Sequence, residues 1–262
     1  MQIAPLKTAI LQKDFDLLET IKKTLVKNRV ELKNGDILVV SSKVVALSQG
    51  RAVDLASVKP SAAAKKFRTT RYGTGKEDPR IVELVLREAQ AVVPGRMLIT
   101  LTNHVLIPEA GIDLSNSPKG VAILWPLEPF KAARKLWLAL RMAYHAKELG
   151  IVICDSHCQP LRWGTTGVAL AWAGFKGIED ARGQKDIYGA PLKITRKAVA
   201  DNLSAAAMIV MGEAGEKCPF VHVSSAPVKF TSRTQSYRDF FVSPRDCIFG
   251  GIYSKNFIRR LA

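Results

Sequence analysis

Two short, wholly apolar runs, Ile37 to Val40 and Ile151 to Ile153 with Cys154 following, constrain this chain more than any other feature. A strand with one wet face alternates apolar and polar side chains, whereas an unbroken apolar run of this length fits a strand buried on both faces. Each run stops abruptly at polar residues: Ser41, Ser42 and Lys43 after the first, Asp155 and Ser156 after the second. A carboxylate at the mouth of a buried strand is rigidly placed and still accessible.

Helical spacing of Phe15, Leu17, Leu18, Ile21 and Leu25 predicts an amphipathic helix over 14–27. Further helices are expected over 60–66 and over 78–91, the second opening on Asp78-Pro79, an N-cap followed by the residue best tolerated in a first turn. Met97 to Leu101 and Val121 to Leu124 read as strands, with the intervening TNHVLIPEAGIDLSN as a polar, turn-rich loop. A long helix is expected from Pro129 to Leu149, a close-packing segment at GVALAWAG, a short strand over 193–195, a helix over 197–211 and a strand over 219–223. Strands and helices alternate irregularly, so the fold class is α+β (mixed α/β) rather than a doubly wound nucleotide-binding sheet. The expected organisation is one domain over residues 1–228 with a C-terminal extension over 229–262.

Composition narrows the class without choosing a function. The apolar content of 47% and charged content of 24% are those of a globular protein. The N-terminal MQIAPLKTAI lacks the pattern of a signal peptide, and no apolar run is long enough to span a bilayer, so a cytoplasmic, membrane-free protein is expected. Lys and Arg number 39 against 23 Asp and Glu, a net charge of +16 that attracts polyanions in general. A nucleic-acid-binding role is the alternative that this charge motivates, although no aromatic-basic motif of an RNA-binding sheet accompanies it.

Several motifs weaken on inspection. RYGTGKED echoes the end of a phosphate-binding loop, but Thr70 stands where the first glycine belongs and Glu77 where Ser or Thr should follow Lys76. Cys154, His157 and Cys158 suggest zinc, with Cys218 as a fourth ligand, yet the paired cluster of a structural zinc site is missing. The thiols therefore read as buried and inert. Asp113, Asp155 and Glu213 are better candidates, because each ends an apolar element beside a glycine or small polar residue. Oxygen donors of this kind suit magnesium or manganese, often shared with substrate phosphates; as ordinary capping or turn acids they would carry no chemistry.

The runs GDILVVSSKVVALSQGR, AGIDLSN, DSHCQPLRWGTTG, RGQKDIYGAPLKIT and VADNLSAAAMIVMGEA, in this order, resemble the coenzyme F-420 gamma-glutamyl ligase family from about Ile10 to Ser225. LIPEAGIDLSN, ILWPLEP and DSHCQPLRWG look more like its branch assigned to folate metabolism, since deazaflavin-branch members tend to read TFGRPWRRG where this chain reads SHCQPLRWG. The resemblance implies a homodimeric ligase of two interleaved subdomains. It would use GTP and Mg2+ or Mn2+ to add L-glutamate to a folate-type acceptor, or alternatively to the deazaflavin precursor of coenzyme F-420. By position it implies metal ligands at Asp113, Asp155, Ser156 and Glu213, and nucleotide contacts at Ala9, Ile10, Leu11, Gln12, Ser42, Lys43, Asn116, Met211 and Gly212. Leu47 and Gln49 depart from the lysine and glutamate of many relatives. Arg162 suits phosphate or carboxylate contact, or an equally plain structural role, and His157 is a candidate base for the incoming amine or an orienting neighbour of Asp155. Arg182, Asp186 and Tyr188 share a loop expected to serve substrate or interface.

Overall fold

The two apolar runs pair in parallel at the centre of the main sheet, in a computed structural model that describes residues 1–11, 15–67, 78–93 and 97–252. In chain order the elements are β1 (Gln2–Leu6), α1 (Leu17–Lys27), β2 (Asp36–Ser41), α2 (Ser42–Ser48), β3 (Ala52–Asp54), α3 (Ala62–Lys66), α4 (Pro79–Glu88), β4 (Ala91–Val93), β5 (Ile99–Thr102) and β6 (Val105–Pro108). There follow β7 (Val121–Ile123), α5 (Pro129–Ala143), β8 (Leu149–Cys158), β9 (Thr165–Ala173), β10 (Ile178–Asp180), β11 (Arg196–Ala198), α6 (Val199–Met211) and β12 (Phe220–Ser224). The main sheet runs β1-β12-β2-β8-β9, with β2 and β8 its parallel pair and the other pairings antiparallel.

Both faces of the central strands are sealed. Leu38, Val40, Ile151 and Ile153 pack with Ile21 and Leu25 of α1 and Leu136 and Leu140 of α5. Ile37, Val39 and Val152 pack on the opposite face with Ala200, Leu203 and Ala207 of α6. Ile37 to Val40 are 0% exposed, so each side chain contributes about 1.5–3 kcal/mol of burial. A separate core joins Leu55, Ala64, Ile81, Val85, Leu98, Ile112 and Leu124, drawn from the segment inserted between α2 and α5. These are the two interleaved subdomains of the mixed α/β fold.

Several elements differ from the sequence expectation. The first helix begins at Leu17, because Asp16 caps it by accepting from Glu19 N at 2.9 Å. The polar residues closing the first apolar run open α2. The supposed loop after Thr102 is a strand, since Asn103 and His104 take left-handed conformations that make a tight hairpin between β5 and β6. The helix from Asp78 stops at Glu88, and Ala91–Val93 then joins β5. Likewise α5 ends at Ala143, with His145 left-handed just beyond, so Leu149 already belongs to β8. The short strand expected over 193–195 is displaced to Arg196–Ala198, where it pairs with β10. Cys158 is exposed, against the expectation of buried thiols, whereas Cys154 and Cys218 are buried. Most of RYGTGKED lies outside the described residues. Among the described residues no helix is long and apolar enough to cross a membrane.

Gly167 lets β9 lie directly on α6: a Cβ built there would stand 2.3 Å from the Ser204 carbonyl carbon. Backbone cannot yield as a flexible side chain does, so Gly167→Ala must push strand and helix apart. The expected loss is about 1–3 kcal/mol in chemical denaturation.

Candidate active site

Because β2 and β8 are parallel and Ser41 lies opposite Cys154, their carboxyl ends deliver Ser42 and Lys43 beside Asp155 and Ser156. Ligand sites in open α/β sheets form outside such strand ends. The β8–β9 pairing shifts register between Ile153 and Cys154, where Leu170 is passed over. Bulges of this kind re-aim the side chains next to them.

The inserted segment brings the second acid. Asp113 follows three consecutive left-handed residues, Glu109, Ala110 and Gly111, with φ of 50°, 56° and 69°. Left-handed non-glycine residues cost of order 1 kcal/mol or more and persist only where their surroundings enforce them. Here Ala110 N donates to Thr100 Oγ1 at 2.9 Å and Glu109 N to Leu98 O at 2.7 Å. The chain leaving this turn is held by paired backbone bonds between Asp113 and Ile123, both 2.9 Å.

Lys43 joins the two walls. Its Nζ lies 2.7 Å from Asp113 Oδ2 and donates to Ser115 O at 2.9 Å. Burial pushes the Asp113 carboxyl up, but the Lys43 ammonium and the Ser115 donors outweigh it and leave it below the usual range. Asp155 behaves oppositely. Burial raises its carboxyl to about 6, with the Asp113 charge adding to the rise, despite donors from Ser156 N, the Trp125 indole and Ser42. Ser156 N donates to Oδ1 at 2.8 Å and Trp125 Nε1 to Oδ2. The two acids thus lie within each other's field, one paired with an ammonium and one whose proton is held up to about pH 6.

The loop after α6 closes the third side. Gly212 is left-handed, and a Cβ there would stand 2.2 Å from the Glu216 carboxyl carbon. Asn116 Nδ2 donates to Ala214 O at 2.9 Å, and Glu213 Oε1 accepts from Thr165 Oγ1 at 3.0 Å. Thr8 N donates to Lys217 O at 2.9 Å, which sets Ala9, Ile10 and Leu11 beside this loop; Gln12 lies outside the described residues. Met211, the last residue of α6, is buried.

Arg162 is exposed on the β8–β9 turn, lining a cleft of ≈ 400 Å3 with Gln159, Trp163, Gly164, Thr165 and Thr166. His157 is pulled below its usual value by burial, against the charge of Asp201, and its Nδ1 is buried without a hydrogen bond. Arg182 is committed to Asp180 through Nε at 2.9 Å, and Asp186 Oδ1 accepts from Tyr188 N and Ala190 N at 2.9 Å each. Tyr188 projects into solvent, 89% exposed, and Ile187 and Ile194 are likewise exposed. Sequence reading missed Trp125, for which the only signal was its place in ILWPLEP, and Asp201, which lay inside a helix pattern.

The F420-0:gamma-glutamyl ligase family model matches residues 5–225. The chain belongs to this family. It is 38% identical to the coenzyme F420:L-glutamate ligase of Methanopyrus kandleri over 75% of this chain and 77% of that protein. Identity is 36% to the enzyme of the same name in Methanothermobacter thermautotrophicus, over 81% and 83%. It is 35% to that of Natronomonas pharaonis, over 76% and 78%.

Gln49, one of the departures from many family members, has a structural reason. Its Oε1 accepts from Leu127 N at 2.8 Å and its Nε2 donates to Leu127 O at 3.1 Å, a pairing a glutamate could not complete. Leu47 meets no comparable requirement.

The divalent cation implied by the family can be tested against these residues. Among the described residues no three His, Cys, Asp or Glu side chains form a ready ion cage. Magnesium, however, is commonly held by one or two carboxylates plus substrate phosphates and water. Asp113 and Asp155, hard oxygen donors within each other's field, fit that mode, and the Lys43 ammonium shows that the pocket accepts positive charge.

The raised Asp155 carboxyl has a consequence for stability. A folded value near 6 above an ordinary 3.8 means that the native state holds the proton longer than the unfolded chain. The cost is absent below about pH 4, grows between pH 4 and 6 and is complete above. In chelator, Asp155→Asn should therefore gain stability relative to the unsubstituted protein as pH rises from 4 to 7, read as a growing difference in urea midpoints.

Proposed function

We propose that this protein joins the amino group of L-glutamate to a carboxylate of a deazaflavin-type acceptor, using GTP and Mg2+ or Mn2+. The convergence of Lys43, Asp113, Asn116 and Asp155 at one end of the parallel pair carries the reading. The relatives named coenzyme F420:L-glutamate ligase favour the deazaflavin acceptor over the folate-type acceptor first expected from the sequence.

Amide formation from a carboxylate at neutral pH requires activation. An acceptor carboxylate oxygen attacks the γ-phosphorus of GTP, GDP leaves, and an acyl phosphate forms. The glutamate amine then attacks the acyl carbon, inorganic phosphate departs and the amine proton passes to a base. Asp113 and Asp155 would hold the cation, with Glu213, engaged with Thr165, and Ser156 reaching it through water, and it would neutralise phosphate charge and align attacker with leaving group. Lys43 exchanges Asp113 for phosphate oxygens, while Ser42, Asn116, Gly212 and the 9–11 segment border the nucleotide. His157 stands near Asp201 as a candidate proton acceptor, and Arg162 offers a bidentate fork to an acceptor anion.

The folate-type acceptor remains a second reading because the departures from the deazaflavin pattern cluster on the β8–β9 turn, where Leu161 and Trp163 are fully exposed. Homodimerisation is part of the proposal: Leu161, Trp163, Ile187, Tyr188 and Ile194 are large apolar groups left in water by the single chain.

Purified protein given GTP, Mn2+ and glutamate should release GDP and form amide in step with the deazaflavin precursor. Greater turnover with dihydropteroate would favour the second reading, and no acceptor-dependent GDP release with either would overturn both. Asp113→Asn should lower kcat about 100-fold with the fold intact by circular dichroism. Light scattering should report a dimer that Tyr188→Glu weakens.

A further inference from the structure

We propose that Trp125 is a positioning residue that aims the Asp155 carboxylate, and that Gly111 makes this possible. The proposal rests on the cation-dependent ligase reading and assigns a role to residues outside the acids themselves.

Trp125 is 3% exposed, and its indole N–H donates to Asp155 Oδ2 while Ser156 N donates to Oδ1. An ionised carboxylate offers about four lone-pair sites, so these two fixed donors, with the Ser42 hydroxyl as a third, orient it and still leave a site for a cation. An indole is a donor only, and a buried ring cannot turn aside as a water can. Ligating carboxylates are commonly held by such outer hydrogen bonds.

The indole is itself located from both ends. Trp125 O accepts from Arg51 Nε at 3.0 Å, and Arg51 is ion-paired with Glu88 of α4. Against the ring lies Gly111, where a Cβ would stand 2.0 Å from Nε1 and 2.1 Å from Cε2. No side chain fits there, and the φ of 69° disfavours one independently. Gly111 precedes Asp113 by two residues in AGIDLSN, so one loop carries one acid and clears the space for the group that orients the other.

The test begins with Mn2+ titration of the full chain, free ion being read by electron paramagnetic resonance. Trp125→Phe, which keeps the ring and deletes the donor, should weaken Mn2+ binding about 10–100-fold. It should also lower kcat with little change in KM for glutamate, and excess Mn2+ should restore part of the turnover. Gly111→Ala, which displaces the indole, should reproduce the loss. Mn2+ binding unchanged in Trp125→Phe overturns the proposal. If neither variant folds, the 15N-labelled native protein decides: an indole N–H signal assigned to Trp125 should shift on adding Mg2+, and a signal that stays put overturns the assignment. A native protein that binds no Mn2+ overturns the cation reading itself, which is distinct from tight binding that ignores Trp125.

Discussion

The parallel pairing of two strands buried on both faces is the constraint on which the rest of the structure depends. An interior run cannot carry a charged group without a partner, so chemistry is excluded from Ile37 to Val40 and from Ile151 to Ile153. It is released together at their carboxyl ends, because parallel strands finish on the same side. An antiparallel arrangement of the same two runs would have sent Lys43 and Asp155 to opposite edges of the sheet. Direction of pairing, a backbone property, thus decides which side chains meet.

That decision was only half visible in the sequence. The apolar runs and their polar ends were legible because burial on both faces leaves an unmistakable pattern, and Asp78-Pro79 marked its helix start because capping is local. The β5–β6 hairpin was not legible: its turn is Asn103-His104, without the glycine that ordinarily marks a two-residue hairpin turn. The helix over Ser42–Ser48 was hidden for a related reason, since Ser42 and Lys43 end one element and begin the next. At the site, acids beside glycines could be picked out individually. Their partners could not, because Lys43 with Asp113 and Trp125 with Asp155 are meetings of distant segments that no spacing rule encodes. Family resemblance supplied the grouping, and the acceptor drawn from its finer details, folate-type before deazaflavin-type, is the point on which the relatives' names point the other way.

The electrostatics of the pocket follow from this assembly. Asp113 is paired with an ammonium and remains ionised; Asp155 receives only neutral donors and is lifted by burial. A carboxyl whose proton is held up to about pH 6 by burial competes with a cation only as pH falls toward that value, so binding of a positive ligand at Asp155 weakens as pH falls through 6. The net charge of +16 acts at longer range. Nucleotide, glutamate and acceptor are all anions in the proposed reaction, and a basic envelope around an acidic pocket attracts them without itself contacting their reacting atoms.

Residues beyond the family match give the two subdomains a common edge. Lys176 N donates to Lys229 O and Thr231 N to Gly174 O, both 2.8 Å, so the chain after β12 follows the end of β9. It then turns under a capping box in which Ser236 and Asp239 satisfy each other's backbone donors. From this turn Phe240 packs against Trp172 and Phe130 of the main body, while Tyr237 stacks on His104 at the β5–β6 hairpin of the inserted segment, ring centroids 3.7 Å apart. The same short turn therefore touches both units that contribute acids to the site. Since Asp113 belongs to one and Asp155 to the other, the ring contacts of Tyr237 and Phe240 link the hairpin of one unit to the sheet of the other.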